Sequence, residues 1–166
     1  MKAVMISIQP KWVEKIVNGE KTIEVRKTAP KIDTPFKCYI YKTKATKLWS
    51  VIHKGDHFYG QTYDKTEILS FPDIDGGKVI GEFVCDRIYE WTYDCNVGEY
   101  NIGKNSLNRT CLLYRELENY GKGKTLYGLH ISDLKIYDEP KELSEFKNLK
   151  GEPITRAFQS WGYMEI

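Results

Sequence analysis

Between Pro10 and Arg26 the chain changes its hydrophobic period, and that change limits the folds open to it. Trp12, Val13, Ile16 and Val17 recur at helical spacing behind Pro10, a residue suited to the first turn of a helix. Gly19 then supplies a left-handed stop. From Thr22 the period drops to two, with Ile23 and Val25 on one face and Thr22, Glu24 and Arg26 on the other. A helix is therefore followed, through a tight turn, by a half-buried strand. Residues 3–8, rich in branched and apolar types, add a strand ahead of the helix.

Downstream, residues 37–42 alternate Cys38, Ile40 and Lys42 with Lys37, Tyr39 and Tyr41, a strand bulky on both faces. Turn signals at residues 54–56 and 75–77 predict loops and short strands across residues 43–76, an insertion within one domain spanning 1–166. Residues 78–93 predict one long strand or a bent pair, with Gly81 marking a bulge or a close backbone approach. Ser106 is placed to cap a helix over residues 107–119 that carries Leu107, Leu113 and Leu117 and stops at Gly121. A strand over 126–137, a turn or short helix opened by Glu139 and Pro140, and a terminal strand over 161–166 complete the chain. Strands and helices in that order fit an α+β fold with a small, partly closed mixed β-barrel flanked by helices.

With 41% hydrophobic and 29% charged residues, the chain has the composition of a folded domain and not of a disordered one. No apolar run approaches a membrane span, and the first residues begin a strand in place of a signal peptide, so a cytoplasmic protein with no membrane contact is expected. The four cysteines, none in Cys-x-x-Cys spacing, are expected as reduced thiols; no metal and no cofactor is expected. His53 and His57 read as loop residues, because Gly55 between them argues against a helix there. Residues 1–54 hold 12 Lys or Arg against 4 Asp or Glu, and the remainder is net acidic. A basic N-terminal third suits a polyanionic partner if folding keeps those charges on one face.

Within that third, Lys21, Glu24 and Arg26 lie a few residues apart, with Thr22 beside them. Spacing alone favours a solvated strand face with weak surface pairing over a site. The same segment, Gly19-x-Lys21-x-x-Glu24-x-Arg26, resembles the signature of the ASCH domain, a family of the PUA-like superfamily. Further stretches are similar to longer bacterial and phage-type members: residues 7–12, the strand around Tyr39–Lys42, residues 77–83, and Gln159-Ser160-Trp161.

The resemblance implies a PUA-related barrel whose cleft meets RNA or a modified nucleoside. Lys21, Thr22, Glu24, Arg26, Tyr41, Gln159, Ser160 and Trp161 are the ligand-binding candidates. Chemically, Lys21 and Arg26 suit phosphate, and Glu24 suits a base amino group such as cytosine N4. Tyr39, Tyr41, Trp12 and Trp49 are candidates for base stacking. Some relatives hydrolyse N4-acylated cytidine with a lysine, a threonine and a glutamate, and a ribonuclease activity is suggested for others. In an enzyme of that kind Lys21 and Glu24 would be catalytic. Glu24 stands where the amidohydrolases have threonine, and both Glu116 and Glu118 are open as the later glutamate.

Overall fold

The structure, a computed structural model, describes residues 1–45 and 75–166, and between them the backbone of residues 47–52, 57–58, 61–62 and 67–72. Its centre is β1 (Lys2–Ile8), whose residues 3–8 are all buried. That is why the first apolar run does not alternate: Val4, Ile6 and Ile8 pack on one face of the sheet, and Ala3 and Met5 on the other. Pro10 opens α1 (Pro10–Val17), which lays Val13 and Ile16 on the first of those faces. Gly19, at φ 79°, turns the chain into β2 (Ile23–Arg26). Then comes β3 (Phe36–Lys42), parallel to β1, with Cys38 and Ile40 on the α1 side and Tyr39 and Tyr41 on the other.

Within the insertion, the backbones of β4 (Lys47–Ile52) and β7 (Glu67–Pro72) pair antiparallel, as do those of β5 (His57–Phe58) and β6 (Gln61–Thr62). The side chains of Trp49, His53 and His57 lie outside the described residues. After them the stretch expected as one long strand or a bent pair divides into β8 (Lys78–Cys85), β9 (Ile88–Trp91) and β10 (Tyr93–Asp94), each in a different sheet, and β10 pairs with β11 (Glu99–Tyr100). Gly81 sits at a register shift between β3 and β8, where a Cβ would come within 2.5 Å of the Lys135 carbonyl oxygen, so the close backbone approach explains the glycine.

The single helix expected over 107–119 is two: α2 (Lys104–Thr110) and α3 (Tyr114–Gly121). Cys111, at φ 57°, breaks them. The buried Thr110 hydroxyl donates to the Leu107 carbonyl and accepts the Leu112 N–H, holding the turn, and Glu116 accepts the Leu113 N–H to restart the helix. Ser106 lies inside α2 and is not its cap, a position held by Gly103. The run over 126–137 also divides. β12 (Leu126–His130) and β13 (Ser132–Lys141) belong to different sheets, and Glu139 and Pro140 continue β13 instead of opening the next turn, a 3-10 turn over Leu143–Glu145. β14 (Trp161–Glu165) closes the chain against β1.

Two sheets carry the fold: a five-stranded mixed sheet, β13-β8-β3-β1-β14, and a three-stranded antiparallel one, β2-β12-β9. Strand pairing among the described residues leaves both sheets open, so the α+β class stands while the partly closed barrel is not confirmed. Each sheet has its own cover. α1 and Leu129 close one face of the large sheet, Phe146 and Ile154 the other, and Leu107 and Leu117 from α2 and α3 cover Ile23 and Val25 on the small one. No described helix is long and apolar enough to cross a membrane.

Candidate functional site

The turn after α1 is set by local bonds. Lys15 Nζ and Asn18 Nδ2 both donate to the Glu20 carboxylate, and the Lys21 N–H donates to the Lys15 carbonyl. Inside β2 the period of two puts Ile23 and Val25 into the core shared with α3, and Glu24 and Arg26 on the opposite face. That opposite face is not solvated. Lys21 is 2% exposed, Glu24 5% and Arg26 9%.

The three charges are locked together. Arg26 Nη2 lies 2.9 Å from Glu24 Oε1 and donates to the Ser7 carbonyl at 2.8 Å, while Nη1 donates to the Ser160 hydroxyl at 3.3 Å. Lys21 Nζ donates to the Thr110 carbonyl at 2.7 Å and stands 3.3 Å from Glu24 Oε2. The latter contact pairs the charges without hydrogen-bond geometry, so Glu24 Oε2 and Arg26 Nε are buried with no hydrogen-bond partner. Native structures hold few such atoms, because each costs about 1–3 kcal/mol of desolvation.

Both residues border a cleft of about 440 Å³, also lined by Ser7, Lys11, Trp12, Glu116, Tyr120 and Gln159. Lys21 Nζ lies 5.2 Å from the centre of the Trp12 ring and Lys11 Nζ 4.4 Å. Lys27 Nζ lies 4.8 Å from the Tyr120 ring, whose hydroxyl is held above its usual pKa by burial, eased by Arg26. A larger hollow of about 970 Å³ between α1 and β13 contains none of Lys21, Glu24 and Arg26.

Among the sequence candidates, Lys21, Glu24, Arg26 and Gln159 meet at this cleft, and Ser160 supports it through Arg26. Thr22 does not join them: the strand begins one residue later, and its hydroxyl accepts from Arg109 Nε at 3.0 Å. Tyr41 packs with Tyr39, Val79 and Phe146 in the core of the large sheet. Trp161 donates its indole N–H to Thr28 and stacks edge-on with Tyr163. Of the two later glutamates, Glu116 lines the cleft. Lys11 and Tyr120 had no sequence signal of their own, since their place depends on how α1 and α3 pack beside β2.

The described residues hold no cluster of metal-ligating side chains, and all four cysteines are free thiols. Burial raises the pKa of Cys38, of Cys85 to about 11, and of Cys111, which favours the thiol over the thiolate.

The whole chain is similar to solved structures of the ASCH protein of Zymomonas mobilis. The unaltered protein superimposes with a TM-score of 0.61 at 18% identity, covering 98% of this chain and 87% of that one. A Tyr-to-Phe variant gives 0.63 at 17%, covering 99% and 91%, and a Ser-to-Ala variant gives 0.63 at 17%, covering 98% and 88%. At that identity the likeness speaks for the fold. No curated protein matches the chain. The ASCH domain family model matches residues 6–151, and that family is generally linked to RNA binding. Spanning most of the chain and including the Lys21, Glu24 and Arg26 segment, that match makes this protein a member of the ASCH domain family.

Proposed function

We propose that the cleft recognises one base of RNA, or a modified nucleoside, with Glu24 as the acceptor for an amino group on the base. The observation that carries this is Glu24 Oε2, a buried carboxylate oxygen at the cleft with no hydrogen bond, on a side chain paired with two cations. A base amino N–H would satisfy it, and a charged acceptor makes a stronger bond than a neutral one. Trp12 and Tyr120 add flat apolar surface against which a base can lie.

Binding is favoured over amide hydrolysis on two grounds. Glu24 stands where a threonine nucleophile would be needed, the Thr22 hydroxyl is engaged by Arg109 away from the cleft, and the Ser7 hydroxyl donates to the Phe158 carbonyl. Lys21 is engaged as a donor to the Thr110 carbonyl and as partner to Glu24.

Calorimetric titration of the purified chain with the four ribonucleosides and N4-acetylcytidine tests this. Glu24→Gln, checked for folding by circular dichroism, should weaken the tightest of these by about tenfold or more. Unchanged affinity in the folded variant would remove the proposal, and release of cytidine from the acetylated nucleoside would replace it with hydrolysis.

A further inference from the structure

We infer that Lys11 and Lys27 hold the sugar–phosphate backbone of a single-stranded RNA whose base enters the cleft, so the partner is a strand and not a free nucleoside. This rests on the function proposed above, and it starts from a charge balance. Lys21 and Arg26 are the cations first expected to meet phosphate, yet both are buried and, Arg26 Nε apart, their donors are directed at Glu24, Thr110, Ser7 and Ser160. A dianion or a bridging phosphate brought to them would have to displace a carboxylate that is already paired. Exposed Glu116, also on the cleft wall, adds repulsion for phosphate there.

Phosphate therefore belongs where solvated cations border the cleft. Lys11 lines it, and Lys27 continues the chain from β2 directly beyond Arg26. Both are exposed, and among the described residues neither is within ion-pair distance of a carboxylate. Their nearest partners are aromatic: the Trp12 ring for Lys11 and the Tyr120 ring for Lys27. Lys15, by contrast, is neutralised by Glu20. Two unpaired lysines, each beside a ring that borders the same cleft, combine the backbone charge and stacking surface by which proteins bind single strands. A charge at each ring also raises the attraction for a strand over a nucleoside, because only the strand carries phosphate past both.

The test uses the full chain, a single-stranded RNA of about eight nucleotides followed by fluorescence anisotropy, and the ribonucleosides followed by calorimetry. K11Q/K27Q should lower oligonucleotide affinity about tenfold at low salt and reduce the slope of log affinity against log salt by about 1.4, roughly 0.7 for each phosphate no longer neutralised. Nucleoside affinity should fall by much less than oligonucleotide affinity, and K11R/K27R should keep the original slope. An unchanged slope and affinity in K11Q/K27Q, with Glu24→Gln still weakening nucleoside binding, would overturn the backbone assignment alone. Unchanged nucleoside and oligonucleotide affinity in Glu24→Gln would overturn the cleft proposal, and the strand assignment with it. Absence of RNA binding by the unaltered chain would also overturn the strand assignment, while nucleoside binding would still test the cleft.

Discussion

Lys21 Nζ stands 3.3 Å from Glu24 Oε2 with both side chains almost wholly removed from solvent, and the pair makes the signature segment a structural element as well as a site. Breaking a buried pair by removing one partner leaves the other charge without its compensation. Lys21→Met should therefore destabilise the fold by about 3 kcal/mol, with Arg26 supplying the remaining compensation for Glu24. Urea unfolding checks this, and a loss within experimental error would mean that the Lys21–Glu24 pair does not stabilise the fold.

Thr22 offers a way to separate structure from ligand contact. Its hydroxyl accepts from Arg109, and Arg109 in turn donates to the Tyr89 hydroxyl at 3.3 Å, tying α2 to β2 and β9. Thr22→Val should lower stability by about 1 kcal/mol and leave nucleoside affinity unchanged. A selective loss of affinity with stability intact would put the Thr22 hydroxyl at the ligand.

Acid stability should depend on Glu82. Burial raises the pKa of this carboxyl, but hydrogen bonds from Tyr137 at 2.6 Å and Lys37 at 3.1 Å outweigh it, and the net shift is downward. A depressed carboxyl contributes stability that is fully present above its unfolded value, near ~4.3, and is lost as pH falls through the folded value. Glu82→Gln should cost roughly 1.5 kcal/mol at neutral pH and little at the acid end of that window, where the two unfolding midpoints should converge. Parallel curves for the two proteins at all pH values would show that Glu82 is not protonated over that range.

Gly128 tests how tightly β12 is packed. A Cβ there would fall within contact distance of the Trp91 ring and 2.8 Å from Ile23 Cγ2, both buried. Neither can move aside cheaply, so Gly128→Ala should destabilise by about 2 kcal/mol through overpacking. Thermal melting measures it, with a shift of several degrees downward expected for a domain of this size.

How much of this was legible beforehand depended on the range of the interaction involved. Periodicity and turn chemistry located β1, α1, the Gly19 turn, β3 and β14, because each depends on residues a few positions apart. They failed at residue 111 and at residue 131. The first break is held by the buried Thr110 hydroxyl, and the second occurs where a continuous apolar run leaves one sheet and joins another. Neither event has a local pattern, since Leu129 and Ile131 are buried in the same core on both sides of the switch.

By itself, then, the chain's amino-acid order determined that a helix, a glycine turn and a two-residue period would bring Lys21, Glu24 and Arg26 close together. Tertiary structure alone decided that they face inward. Burial by Thr110, Ser7 and the elements around the cleft turned what spacing allows as a solvated strand face into a closed charge cluster. Long-range packing also added Trp12, Tyr120 and Lys11 around it, set the Tyr120 ring beside Lys27, and directed Thr22, Tyr41 and Trp161 elsewhere. The physical reason is that a side chain's face within a strand follows from local geometry, whereas what covers that face follows from packing between segments remote in the chain, such as Ser7 with Phe158 at a separation of 151.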